Sequence, residues 1–250
     1  MKRLGRSLAT LGVGAALIAT PVLGAASPAA ADEANDRRVV ATSVDGREIV
    51  ARHYGPVDAP VQLVIVGQMH GSEPGGRRVI RQLTAAAPPP GVGMWLILSL
   101  NPDGAKVGRR TNGGGVDLNR NYPTLWLQNG AGTPFWSGPG PASEPETRGM
   151  MAFLDDVRPT ALISYHQAMN AVDTSHRRSR PAARQLARYM GMRAVAVPCA
   201  LPQCHGNLTQ WVDRELQAVA ITVELDRRVS LSEARRAATA VLRLGSWLGR

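Results

Sequence analysis

His70 and Glu73 stand three positions apart in Met69-His70-Gly71-Ser72-Glu73-Pro74. Imidazole nitrogen and carboxylate oxygen are ligand types of catalytic zinc, which takes three protein ligands and keeps one coordination position open. With two residues between them, both groups can reach one small cation. Alone the pairing is weak, because His-x-x-Glu arises by chance in many unrelated chains. Further chemistry-bearing residues follow. Arg109 and Arg110 lead through Thr111 into Gly115-Val116-Asp117-Leu118-Asn119-Arg120-Asn121. A planar guanidinium recognises carboxylate through two parallel hydrogen bonds, which Lys cannot reproduce. His166 ends the apolar run Ala161-Leu162-Ile163-Ser164-Tyr165-His166, where a lone His is more often structural than a ligand. Glu224 interrupts Ala218-Val219-Ala220-Ile221-Thr222-Val223-Glu224-Leu225, where an unpartnered carboxylate is expensive. It is therefore either a partnered structural acid or a reactive one.

Strand-like runs must deliver these residues. Val61 to Val66 is apolar and β-branched and reads as a strand buried on both faces, and a helix is expected from Gly76 to about Ala87, ended by Pro88-Pro89-Pro90-Gly91. A strand that stops at a loop and turns into a helix is where open α/β sheets place their ligands. Gly93 to Leu100 reads as a second strand, ending in Asn101-Pro102-Asp103-Gly104, which reads as turn punctuation opening a long polar loop. Loops of that length without secondary structure tend to be functional. Ala161 to His166 and Ala218 to Leu225 are the remaining clear strands. Helices are expected from Ser143 to about Val157, from Arg180 to Met192, from after Trp211 to about Gln217, and from Ser232 to Leu248. Glu144 and Glu146 read as capping groups in a first helical turn. Val39 to Val44 and Arg47 to Tyr54 suggest a hairpin around Asp45-Gly46. Thr124 to Ala142 carries Trp126, Phe135 and Trp136 and reads either as a loop over the site or as packing. Strands alternating with helices argue for an α/β sheet.

With 250 residues, 44% of them hydrophobic, the chain can bury one sizeable core. Residues 1–31 are expected to lie outside it. Met1 to Arg6 is basic, Leu8 to about Leu23 is apolar, and Ala29-Ala30-Ala31 is a small-residue cleavage site. That is the pattern of a secretory signal peptide, with an uncleaved anchor as the alternative. The basic start has no adjacent Arg pair, which favours general secretion over the twin-arginine route. The expected domain is 32–250, with no room before Val61 for a folded inhibitory pro-domain and no later segment apolar enough to span a membrane. An exported product fits a small disulfide loop between Cys199 and Cys204. The alternatives are two free thiols or a cysteine metal site, which would want more soft ligands than these two and His205 offer. The formal charge of +10 falls to +7 once Lys2, Arg3 and Arg6 leave with the signal. No nucleic-acid module is recognisable and only 4% of residues are aromatic, so the arginines read as solvated faces with a mild attraction to an anionic envelope polymer.

His70-Gly71-Ser72-Glu73, Asn101-Pro102-Asp103-Gly104 and Asp117-Leu118-Asn119-Arg120-Asn121 together resemble the zinc carboxypeptidase family. The compact spacing is most similar to its murein-peptide amidase branch, over about residue 45 to the C-terminus. The resemblance implies a single α/β domain with a mixed, mostly parallel sheet between helices, and one zinc held by His70, Glu73 and His166. It implies that Glu224 is the catalytic acid–base and that Arg110, or its neighbour Arg109, polarises the scissile carbonyl. Asn119 and Arg120 would bind the free carboxylate of the substrate. His53, His176 and His205 match no ligand position. The implied function is an exported or envelope-associated zinc hydrolase cutting an amide bond beside a free carboxylate. Its substrate would be a peptide or muropeptide, with the γ-D-glutamyl–diaminopimelate bond of a peptidoglycan stem peptide as the target. A general carboxypeptidase, a deacylase of N-acyl amino acids and an inactive binder of wall peptides are the alternatives. Side-chain specificity would come from segments within 126–142, 168–178 and 200–226. Nothing in the sequence speaks to oligomeric state.

Overall fold

The computed structural model describes residues 36–197 and 205–250. The expected signal and the Cys199–Cys204 bridge lie outside these residues. A hairpin, β1 (Asp36–Thr42) and β2 (Glu48–Tyr54), precedes β3 (Val61–Val66), α1 (Gly75–Leu83), β4 (Val92–Ile97) and α2 (Pro102–Val107). Then come α3 (Pro145–Val157), β5 (Ala161–Gln167), β6 (Ala171–Asp173), α4 (Arg180–Met190), β7 (Arg193–Val195), α5 (Leu208–Trp211), β8 (Val219–Leu225) and α6 (Leu231–Leu248). The strands form one sheet in the order β1-β2-β4-β3-β5-β8-β6-β7. β4, β3, β5 and β8 run parallel to their neighbours in that central group, whereas β1, β2 and β6 bring in antiparallel ladders. The sheet is therefore mixed, as the resemblance implied.

Both faces are covered, which explains the continuous apolar runs. In β3, Leu63 and Ile65 pack with α1, α4 and α6, whereas Val64 and Val66 pack on the opposite side with α3 and α5. Alternation still operates, but each face meets a hydrophobic layer, so no polar phase appears in the sequence. Among the described residues no helix is long and apolar enough to cross a membrane.

Several boundaries depart from the sequence reading for identifiable reasons. α1 ends at Leu83 rather than near Ala87. Pro88 has no N–H to continue a helix and its ring would collide with the Thr84 carbonyl four residues back. Asn101-Pro102-Asp103-Gly104 opens the short helix α2 instead of a simple turn. The Asn101 side chain caps it by accepting from Gly104 N at 2.8 Å, Pro102 sits in its first turn, and Gly108 closes it with φ 66°. Glu144 stands at the N-cap of α3 without a side-chain cap bond and accepts instead from Asn112 Nδ2 at 2.8 Å. Glu146 does lie in the first turn, as expected, and by accepting from Asn112 Nδ2 and Val44 N, both at 3.2 Å, it also ties the hairpin turn to α3. β6 and β7 were missed because three-residue strands carry too little pattern to read.

The start of α1 rests directly on the end of β3. A methyl group on Gly76 would collide with the Gly67 carbonyl and the Tyr165 side chain. Gly76→Ala should therefore cost about 1–3 kcal/mol of stability through overpacking. Denaturant unfolding at constant slope is the check, and an unchanged midpoint would show that this approach is not tight.

Candidate metal centre

Three parallel strands end side by side, and their last turns carry the chemistry. The chain leaves β3 at Val66 and reaches His70 and Glu73 in the turn before α1. His166 is the penultimate residue of β5 and Glu224 the penultimate residue of β8, and the two are direct register partners. Gly71 allows the turn to press against α2, since a Cβ there would strike the Gly104 and Ala105 backbone.

His70, Glu73 and His166 are buried, and their ligand atoms all lie within 4.8 Å of one another. His70 Nδ1 is 2.9 Å from Glu73 Oε2, while His166 Nδ1 is 3.2 Å from that oxygen and 3.2 Å from His70 Nδ1. The outer nitrogen of each ring already has a partner. His70 Nε2 meets Asp117 Oδ1 at 3.0 Å, and His166 Nε2 meets Ser164 Oγ at 3.1 Å. Those contacts leave one nitrogen of each ring and one carboxylate turned toward a common point. Two imidazoles and a carboxylate, with the outer nitrogens held by oxygen partners, are the donor set and supporting shell of catalytic zinc. The residues present fit the ion.

Asp117 is the functional residue that sequence reasoning passed over, although it opens the Asp-Leu-Asn-Arg-Asn motif. It is fully buried and accepts from Arg110 Nε at 2.9 Å as well as facing His70. Burial would raise its carboxyl, but the charges of His70, Arg110 and Arg120 and the His70 hydrogen bond hold it well below the usual carboxylate range. Burial likewise opposes ionised Glu73, yet hydrogen bonds to His166 and His70 keep it far below its ordinary value. For His70 burial acts downward, and the charge and hydrogen bond of Asp117 with the Glu73 contact overcome it, so its pKa is raised.

Arg110, not Arg109, reaches this cluster. Arg110 Nη1 donates to Glu73 Oε1 at 3.2 Å, and its guanidinium carbon lies 5.1 Å from the Phe135 ring centre. Arg109 turns away to the Asn112 carbonyl. Phe135 and the Trp136 carbonyl, which accepts from Asp117 N at 2.8 Å, bring the 124–142 loop to the centre, whereas Trp126 spends its indole N–H on the Ser137 carbonyl.

Arg110, Asn119, Arg120 and Glu224 line a cleft of about 450 Å³ with the three ligand residues. Asn119 Oδ1 accepts from Leu208 N at 3.1 Å and so fixes the start of α5. Arg120 donates to the Asn119 carbonyl at 2.7 Å and has no carboxylate partner among the described residues. Glu224 Oε2 is buried without a hydrogen-bond partner among the described residues, and burial raises its carboxyl above the ordinary value. Two of the three expected segments, 168–178 and 200–226, contribute to the wall with Asp173, Arg177, Asp213 and Arg214, while residues 126–142 do not line it. A larger cleft of about 560 Å³ lies over β2, β4 and α1, but its wall has no His and a single acid, Glu48, so the chemistry belongs to the smaller one.

A sequence model of the zinc carboxypeptidase family matches residues 36–197. Murein peptide amidase A of Escherichia coli K12 is 31% identical over 90 residues, which is 31% of this chain and 37% of that protein. The protein of the same name from Vibrio campbellii is 31% identical over 145 residues, 52% of this chain and 55% of that one. The chain thus spans between 37% and 55% of the length of these curated relatives. The murein-tripeptide amidase MpaA from Escherichia coli O157 superposes with a TM-score of 0.68 at 22% identity, covering 85% of this chain and 91% of that one. Carboxypeptidase A from Helicoverpa armigera gives 0.71 at 15% identity, over 86% and 68%. At those identities the two structures establish the fold.

The carboxylate behind His70 has a measurable consequence. Asp117→Asn keeps the shape but removes the charge that orients the ring, and losses of such partners typically cost ~10–100-fold in metal affinity. Competition against a zinc chelator should show that drop, and unchanged affinity would mean Asp117 serves only to hold Arg110.

Proposed function

The chain belongs to the zinc carboxypeptidase family, and from that premise we propose an exported zinc hydrolase that cuts the amide bond beside a free carboxylate. The proposed substrate is a peptidoglycan stem peptide, cut between γ-D-glutamate and diaminopimelate. One observation carries the hydrolase reading above all others. Glu224 has a buried carboxylate oxygen with no partner among the described residues, beside a complete His70, Glu73 and His166 set. A buried orphan acid costs stability and has no structural return in this fold. An inactive binder would have no use for it.

His70, Glu73 and His166 would hold the zinc, which when bound supplies Lewis acidity toward an amide carbonyl and toward water. Glu224 takes the proton from the attacking water on its carboxylate and delivers it to the leaving amide nitrogen. Arg110, which the structure holds against Glu73 and Asp117, donates its N–H groups to the carbonyl oxygen as negative charge grows there. Arg120, with no carboxylate of its own, grips the substrate's carboxylate in a two-bond fork, and Asn119 braces it.

The wall of the cleft supports the stem-peptide assignment. Its lining includes Asp173 and Asp213 together with Arg177 and Arg214, so both signs of charge border the cleft that holds Arg120. Diaminopimelate carries an ammonium and a carboxylate at the far end of its side chain and needs both. Two relatives with a murein peptide amidase name point the same way, and the signal-like residues 1–31 supply the route out of the cytoplasm.

Glu224→Gln should lose ~10²–10⁴-fold in kcat, because an amide cannot accept the proton, while zinc content and substrate affinity stay near wild type. Single-turnover rates with metal analysis are the check. Near-normal turnover in this variant would remove Glu224 from the mechanism.

A further inference from the structure

Arg77, Arg78 and Arg81 project from α1, and Arg227 and Arg228 from the loop after β8. Together they line a cleft of about 470 Å³ whose wall contains no acidic residue. None of the five has a carboxylate within ion-pair distance among the described residues, whereas Arg37, Arg38, Arg47, Arg110 and Arg158 all do. The first turn of α1 also lacks an acid. Asp226, next in the chain, turns its Oδ1 to the backbone N–H of Arg227.

The cleft is braced. Gln167 Oε1 accepts from Gly75 N at 2.7 Å, and its Nε2 donates to the Asp226 and Arg227 carbonyls at 2.6 and 2.9 Å. One side chain thus ties the α1 wall to the loop wall. The Gln167 backbone N–H also donates to Glu73 Oε2 at 3.3 Å, so the basic cleft and the metal centre share a wall. Arg77 and Arg81 carry the positive surface onward to Arg52 and Lys106.

Five like charges gathered on a braced, concave surface repel one another, and the counter-charge that relieves them must come from outside the chain. We propose that this cleft is a docking site for a phosphodiester-linked glycopolymer of the cell envelope, holding the enzyme beside its substrate. Guanidinium forks bind phosphate through paired hydrogen bonds. The two free oxygens of a phosphodiester splay apart, so arginines from both walls can share one group, whereas a carboxylate offers its oxygens along one edge. No aromatic side chain lines the cleft, so it offers nucleic-acid bases nothing to stack on. It is concave and has no exposed Leu, Phe or Trp to enter a lipid surface. The polymer's location rests on the export reading, but the docking itself does not require hydrolysis.

The test is binding of soluble poly(glycerol phosphate), measured by titration calorimetry at low and at physiological salt. Wild type should bind, more weakly as ionic strength rises and the charges are screened. The exposed triple variant Arg78→Ser, Arg81→Ser, Arg228→Ser should lose about tenfold or more in affinity, since three exposed ion pairs at the usual strength add up to that factor. A charge-matched triple outside the cleft on the neighbouring helices α4 and α6, Arg184→Ser, Arg188→Ser and Arg235→Ser, should lose less than about threefold. Both triples should unfold no earlier than wild type, which separates lost docking from lost folding. Equal losses in the two triples would overturn the proposal in favour of diffuse net charge. Equal or tighter binding of polygalacturonate, of single-stranded DNA or of anionic vesicles would overturn the polymer assignment, and no binding by wild type would overturn the site.

Discussion

Everything at the carboxyl edge of this sheet depends on burying the charges of Glu73 and Asp117 without leaving either of them alone. Glu73 and Asp117 are both buried carboxylates, and an isolated one would cost several kcal/mol to desolvate. Each is tolerated because it touches a histidine and the Arg110 guanidinium within 3.3 Å. With both imidazoles neutral, two carboxylates and one guanidinium leave a single negative charge, and Glu224 adds another. A doubly positive ion is the natural complement of that set. The raised pKa of His70 expresses the same deficit, since a proton on its ring supplies part of the missing positive charge.

The scaffold follows from that constraint. Ligands separated by nearly a hundred positions meet because β3 and β5 are adjacent parallel strands, Val66 pairing with Ser164, so the turn after β3 opens beside the end of β5. Glu224 joins them through the next ladder, directly opposite His166. Close approach is secured by glycines at 71 and 76, where any side chain would strike neighbouring backbone or Tyr165. Asp117 then couples the metal centre to the turn that carries Asn119 and Arg120, the proposed substrate anchors, for its Oδ1 accepts from Asn119 N at 2.9 Å while also facing His70. One buried carboxylate thereby orients a metal ligand and the turn that presents Arg120.

Much of this was legible in the sequence because the sheet strands are apolar on both faces and each stops at a polar residue of a rare kind. His70, Glu73, His166 and Glu224 stood out against such runs, and the structure brings all four into one cleft. Spacing could not separate Arg109 from Arg110, since adjacent residues share a loop and only the fold decides which one turns inward. Asp117 was hidden because an Asp before Leu-Asn-Arg looks like ordinary turn chemistry; its burial is created by distant strands. Helix α2 was hidden for a similar reason, as Asn-Pro-Asp-Gly suits a turn and a helix start equally well until the Asn101 cap is seen. The two arms of the basic cleft, on α1 and after β8, are remote in sequence; Arg77, Arg78 and Arg81 read as a solvated helix face, and nothing in the pattern joins them to Arg227 and Arg228.

The central claim is that this centre cuts one bond of a wall peptide. Its most direct test is mass spectrometry of L-alanyl-γ-D-glutamyl-diaminopimelate after incubation with the zinc-loaded protein. Free diaminopimelate and the alanyl-glutamate dipeptide should appear together, and a zinc chelator should abolish both. An intact tripeptide with zinc demonstrably bound, or cleavage at the alanyl–glutamyl bond instead, would contradict the account.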